Sequence, residues 1–182
     1  MAHHYDVLVG PWTYRVFLLP NGLQVDLAFV PAADFGARAP TFKLLFGASK
    51  EILRQPPPEA RELIGLAWVY LLHVRSSIAR GKLWQAEYML STARNYVLAF
   101  ASLWRGFDHR EGRGMDQLPQ SLKDSLANSF VSRLDPAELS RAFDLVVDAL
   151  LAEVGDVDPS LLSRLSPVLN DLKETVSGMS RE

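Results

Sequence analysis

The distribution of apolar and polar residues changes once along the chain, from a strand-like pattern to a helical one. Two strand-like runs, 14–19 and 23–30, flank Asn21 and Gly22. Asn and Gly tolerate the positive φ of a tight turn, so this pattern predicts a β-hairpin. Because alternate residues of a strand share a face, Asp26 is predicted on the less apolar face of the second strand.

Asp26 has two interpretations. It is either a surface residue on a half-buried sheet or a metal ligand. A carboxylate held on a rigid strand suits a hard cation such as Mg²⁺, which takes one or two carboxylates together with phosphate oxygens. Nothing else near Asp26 in the sequence completes such a site.

A run of prolines predicts the domain boundary. Pro56, Pro57 and Pro58 form a stiff spacer, because proline cannot continue a strand ladder and disfavours helix in the residue before it. We therefore predict a sheet domain over 1–55 and a helical bundle over 56–182. Between the hairpin and the prolines the pattern is weaker, with a short edge strand predicted over 40–46 and a helical turn over 48–54.

Beyond the prolines, apolar residues recur at steps of three and four, which is one face of an α-helix. Helices are predicted over residues 59–80, 83–104, 119–131, 136–154 and 159–176, the last interrupted at Pro167. Asp135, Pro136 and Glu138 match the N-cap, the first helical position and the acid of a capping box. Asp158 repeats the start signal, and 108–114 reads as a loop. The fold class is α+β, mainly α, a short hairpin or sheet remnant before an up-and-down bundle of about five helices.

Composition narrows the function classes. With 182 residues, 48% of them hydrophobic, the chain can bury a real core. The formal net charge of −2 gives no electrostatic case for binding nucleic acid or a membrane surface. The chain has no cysteine, which removes disulfides, thiolate zinc sites and cysteine nucleophiles. No apolar run is long enough to span a bilayer and no signal peptide is visible, so we expect a cytoplasmic protein.

One arc of the second helix carries a polar strip with aromatic residues at one end. Its members are Trp84, Glu87, Tyr88, Ser91, Asn95 and Ser102, with Arg94 on its flank. The strip is either the solvent-facing side of an amphipathic helix or the wall of a cleft. In the second case the rings beside a carboxylate suit a cationic or polyhydroxylated ligand, and Glu87 could serve as general base for a substrate hydroxyl.

Other candidate residues give weaker indications of a chemical role. His73 lies beside an apolar helix face, where a structural role is the commoner one. His109 is close to Arg105, Arg110 and Arg113, a cluster that is either solvated or in contact with phosphate. The sequence has no glycine-rich phosphate loop, no paired histidines at metal-binding spacing and no Gly-x-Ser-x-Gly elbow.

Three segments resemble bacterial nucleotidyltransferases related to aminoglycoside adenylyltransferases. They are the strand 23–30 with Asp26, the segment Pro-Thr-Phe-Lys-Leu-Leu-Phe-Gly from Pro40, and Gly-Lys-Leu-Trp-Gln-Ala-Glu-Tyr-Met-Leu from Gly81 with Arg94. The resemblance covers roughly the C-terminal three quarters of such a protein. It implies that 1–55 is part of a nucleotidyltransferase sheet domain and that the helices bind the acceptor.

The resemblance also implies a chemistry. Proteins of this family use Mg²⁺ and a nucleoside triphosphate to move a nucleotidyl group onto a hydroxyl, and Asp26 matches their third carboxylate, a metal ligand. The implied acceptor site holds Glu87 as a catalytic residue and Trp84, Tyr88, Ser91, Arg94 and Asn95 as substrate-binding residues. The family's Gly-Ser turn and Asp-x-Asp pair have no match in 1–13, so we expect an N-terminally shortened copy, a fragment or a degenerate relative that is inactive alone.

A second interpretation is a non-enzymatic helical module that dimerises or binds a partner, as antitoxin-like proteins do. An unpaired hairpin is marginal alone, and exposed sheet edges favour self-association. The expected partners are therefore a small-molecule acceptor or a second copy of the chain, with no nucleic acid and no membrane.

Overall fold

The structure is a computed structural model that describes residues 1–37, 41–52 and 56–179. The chain divides into two compact units, Met1–Pro56 and Pro57–Glu182. The predicted assignment of the first unit to a nucleotidyltransferase domain stays a prediction.

The first unit contains a three-stranded antiparallel sheet in the order β1-β2-β3. The strands are β1 (His3–Val9), β2 (Trp12–Leu18) and β3 (Gln24–Phe29). The predicted hairpin is confirmed as β2 and β3, with Val16 opposite Asp26. Gly22 has a φ of 80°, as its place in the turn requires. β1 was not predicted. It pairs with β2 along its whole length through a turn at Gly10.

Two weaker predictions in this unit are wrong. Residues 41–46 form no strand, and 48–52 form no helical turn. The second segment is held extended instead, because the Lys50 N–H donates to the Phe35 carbonyl at 3.0 Å and Gly36 forms an isolated parallel bridge with Lys50. Pro40, Leu53 and Arg54, which belonged to these two predictions, lie outside the described residues.

The second unit is helical. Its α-helices are α1 (Ala60–Ile78), α2 (Leu83–Trp104), α3 (Gln120–Ala127), α4 (Pro136–Val157) and α5 (Pro159–Met179). The predicted bounds of α2 are confirmed, and the fold class is α+β, mainly α. Two predictions for these helices were wrong: α3 ends four residues before Val131, and α5 runs without a break through Pro167.

The helices share one apolar core. α1 packs on α2, α4 packs on α5, and α2 lies against α4. Leu71, Val97, Phe100, Phe143 and Leu150 are completely buried among them. Among the described residues, every helix is too short or too polar to cross a membrane.

Side-chain contacts fix the ends of α2 and α4. Asp135 Oδ1 accepts the Glu138 N–H at 3.0 Å, which confirms the N-cap. The Glu138 carboxylate does not reach back to the cap, because it accepts hydrogen bonds from Ser132 and Arg141. At the other end of the helix pair, Glu153 accepts from Trp104 Nε1 at 2.8 Å and from Arg105. Glu153 is buried, so this cluster anchors the C-terminal end of α2 to α4.

Candidate functional site

The predicted polar strip lies on α2 and presents its aromatic rings to solvent. Trp84 is 83% exposed and Tyr88 is 68% exposed. Glu87 and Ser91 are half-buried beside them. Residues three and four apart are neighbours on a helix, so these four side chains form one continuous surface, which we call the α2 strip. Asn95 extends it by one turn.

Glu87 has one satisfied and one unsatisfied oxygen. The Ser91 hydroxyl donates to Glu87 Oε1 at 2.6 Å. Glu87 Oε2 is buried and has no hydrogen-bond partner among the described residues. A buried acceptor without a donor is costly, and such groups are few in folded proteins. Oε1 is held by Ser91, whereas Oε2 is enclosed by the protein.

Arg94 lies in the interior of the helical unit. Its predicted contact with substrate would suggest an exposed position instead. It is 3% exposed, and burial lowers the pKa of its guanidinium, an effect that the charge of Glu87 opposes. Nε donates to the Ser129 hydroxyl at 2.7 Å and Nη2 to the Ser129 carbonyl at 2.8 Å. Nη1 lies 3.3 Å from Ser91 Oγ. Arg94 thus connects the α2 strip to the turn after α3 through Ser91, and its predicted role in binding substrate stays a prediction.

Sequence reasoning missed Ser129 and Phe130. Both follow the end of α3, in a segment that the sequence predicts to continue the helix to Val131, and only tertiary structure shows that Arg94 reaches them. The Phe130 ring is 62% exposed, and the Arg94 Cζ lies 4.4 Å from its centroid. Cation–π contact and hydrogen bonds together fix the guanidinium.

Asp26 is exposed on β3, in the other unit. Gln24 Nε2 donates to both of its oxygens at 2.9 Å. Asp6 is the other acid of the sheet, but it pairs with Arg15 across from it, and the register places that pair on the opposite face from Asp26. Within the described residues, no group of three His, Asp or Glu side chains could hold a metal ion. Asp26 as a magnesium ligand stays a prediction.

A cavity of about 440 Å³ adjoins the Asn95 end of the α2 strip. Its lining residues are Asn95, Tyr96, Ala99, His109, Glu111, Gly112 and Met115. The predicted loop over 108–114 thus forms one wall of this cavity, and His109 is half-buried there. Glu111 has a φ of 53°, an uncommon conformation for a residue other than glycine.

Comparisons with known proteins add one similarity at the level of structure. No protein-family model matches the chain. No curated protein matches it either. Among solved structures, the chain is similar to an aminoglycoside 6-adenyltransferase from Bacillus subtilis, with 11% sequence identity and a TM-score of 0.49, over 94% of this chain and 78% of that one. A likeness at this identity and TM-score says nothing about the substrate or activity of this chain.

Proposed function

We propose that the helical unit binds a small polyhydroxylated amine of the aminoglycoside class on the α2 strip, as the acceptor-binding part of a nucleotidyltransferase-like protein. The observation that carries this proposal is the half-buried Glu87, whose carboxylate is held by Ser91, beside the exposed rings of Trp84 and Tyr88. A carboxylate oxygen next to exposed aromatic faces suits a ligand that has both positive charge and hydroxyl groups.

Each part of the strip has a distinct role in this proposal. The negative charge of Glu87 attracts an ammonium group of the ligand, while Ser91 holds Oε1. The faces of Trp84 and Tyr88 contact the apolar face of the ligand's rings and attract its ammonium groups. Arg94 holds Ser91 in place from the interior, and Asn95 offers an amide at the edge of the neighbouring cavity.

Glu87 would then orient the hydroxyl that receives the nucleotidyl group, and would accept its proton. The same residues bind an acceptor whether or not transfer follows. Because Asp6, the other acid of the sheet, is paired with Arg15 on the opposite face from Asp26, we expect this 182-residue chain alone to transfer no nucleotidyl group from ATP to an aminoglycoside. Magnesium-dependent transfer by this chain would contradict that expectation.

Isothermal titration calorimetry with the aminoglycoside kanamycin tests the binding site. We expect the wild-type chain to bind, and Glu87→Gln and Trp84→Ala to weaken binding about tenfold or more, equal to about 1.4 kcal/mol. Glu62→Gln is the matched control, since Glu62 is an exposed acid on α1 and its loss changes the net charge equally. If Glu87→Gln and Glu62→Gln bind equally well, the attraction is only that of net charge and the proposal is wrong.

A further inference from the structure

The sheet of the first unit has almost no core of its own. Among the described residues of Met1–Pro56, Gly36 is the only one that is buried. Large apolar side chains of all three strands are exposed instead, including Leu8 at 73% and Phe29 at 51%. A small sheet needs a covered apolar face for stability. One of its faces is therefore expected to be an interface.

The face that carries Arg15 has a distinctive arrangement. Strand alternation and register place nine side chains on it: His4, Asp6, Leu8, Thr13, Arg15, Phe17, Val25, Leu27 and Phe29. Side-chain contacts agree, since Arg15 Cζ lies 5.9 Å from the Phe29 centroid and the His4 and Phe17 rings are 5.9 Å apart. We call these nine residues the Arg15 face.

The centre of the Arg15 face is an ion pair. Arg15 Nε and Nη2 each donate to an Asp6 carboxylate oxygen at 2.7 Å. The side chains are 39% and 34% exposed, so both charges can still meet a partner. Leu8, Val25, Leu27 and Phe29, which surround the pair, are each at least 42% exposed. The surface is therefore apolar with one positive and one negative charge side by side.

We propose that the Arg15 face is the interface of a two-fold symmetric dimer of this chain. A two-fold axis makes each contact twice, so that Asp6 of one copy meets Arg15 of the second copy and the reverse. Two-fold rotation places the positive charge of one ion pair opposite the negative charge of the other. The four charges at the interface then alternate in sign. The additional partners offset the cost of removing both ions from water, while the surrounding apolar side chains are shielded.

Charge exchange tests this interface. Asp6→Arg and Arg15→Asp each leave like charges facing each other across the axis, so each variant alone is expected to raise the dimer dissociation constant about tenfold or more. An equal mixture of the two restores opposite charges and is expected to form mixed dimers. Asp26→Arg, the same substitution on the other face of the sheet, is the control and should leave the dimer intact. Sedimentation velocity of the full chain over a wide concentration range measures all four.

Several outcomes would overturn the proposal. A wild-type chain that stays monomeric at every concentration means that another segment or another protein covers this face. A dimer lost on Asp26→Arg and kept on Asp6→Arg means that the opposite face is the interface. Circular dichroism shows whether each single variant folds. If one does not, the double variant Asp6→Arg with Arg15→Asp serves instead, because it keeps an ion pair within each copy. The double variant must dimerise with itself and must not dimerise with wild type. This proposal is independent of ligand binding at α2.

Discussion

Arg94 and Ser129 are joined by two hydrogen bonds across 35 residues of sequence, one to the hydroxyl and one to the carbonyl oxygen. The hydroxyl of Ser129 in turn donates to the Leu126 carbonyl at 2.6 Å. α2 is thereby fixed to the last turn of α3. The α2 strip rests on this connection, because the same guanidinium also lies beside Ser91.

Loss of the Arg94 guanidinium is expected to destabilise the helical unit. Hydrogen bonds to a charged group contribute about 1.5–3 kcal/mol each, so Arg94→Ala should lower the free energy of unfolding by about 2–4 kcal/mol. Arg94→Lys should lower it by about 1–3 kcal/mol, because an ammonium cannot reproduce the fork of donors. Urea denaturation followed by circular dichroism measures both. Arg80→Ala, an exposed arginine just after α1, is the control.

The hydrogen bonds that Glu153 accepts lead to a second prediction about stability. Glu153 is buried and accepts hydrogen bonds from both Trp104 and Arg105. Glu153→Ala removes the acceptor of a largely buried cation, and we expect a loss of about 2–4 kcal/mol in the free energy of unfolding. The Trp104 indole N–H should also exchange with solvent faster by NMR. Unchanged exchange in the variant would contradict the role given to this carboxylate.

The start of α4 predicts a dependence of stability on pH. Hydrogen bonds from Arg141 and then from Ser132 lower the pKa of the Glu138 carboxyl to about 2 in the folded protein. The unfolded pKa is higher, about 4.3, so the stabilisation is present above that pH and is lost as pH falls toward 2. We therefore expect Glu138→Gln to lose less stability than wild type between pH 5 and pH 2, in urea denaturation at each pH.

Arg141→Leu provides the partner variant for the same test. It removes the largest cause of the lowered pKa of Glu138, so its loss of stability with acid should also be smaller than that of wild type. If Glu138→Gln and Arg141→Leu both follow the wild-type curve, the Glu138 contacts do not contribute to acid unfolding.

Pro167 lies inside α5, which continues through it. Proline has no N–H to donate and is about 3 kcal/mol less favourable than alanine inside a helix. Pro167→Ala is therefore expected to raise the free energy of unfolding by about 1–3 kcal/mol. Thermal denaturation by calorimetry measures the change. A lower melting temperature in the variant would show that Pro167 has a packing role that outweighs the missing hydrogen bond.

Local signals in the sequence predicted much of the fold. α2 was predicted with its observed bounds because its apolar periodicity is flanked by Gly81 and Gly106. Asp135 and Asp158 marked the starts of α4 and α5, and both accept a backbone N–H as N-caps do. Pro167 misled the prediction because packing of α5 on α4 overrides a local preference.

The features that sequence missed depend on contacts between distant residues. β1 forms because it pairs with β2 through a two-residue connection at Gly10 and Pro11, although its first two residues are histidines. The strip over Trp84, Glu87 and Tyr88 was visible from helical spacing alone. The interior position of Arg94 was not, because it depends on Ser129, which the sequence placed inside a helix and the structure places in the turn after α3.

The most direct test of ligand binding at the α2 strip is an NMR titration that follows the indole N–H signals of the four tryptophans. Trp84 is exposed on the strip. The Trp104 indole N–H donates a hydrogen bond to Glu153, and Trp68 packs against the core. On addition of kanamycin, we predict that the Trp84 signal shifts and saturates, and that Glu87→Gln raises the kanamycin concentration needed for half of the shift about tenfold or more. No shift of Trp84 in the wild-type chain, or the same titration curve in Glu87→Gln, would contradict the account.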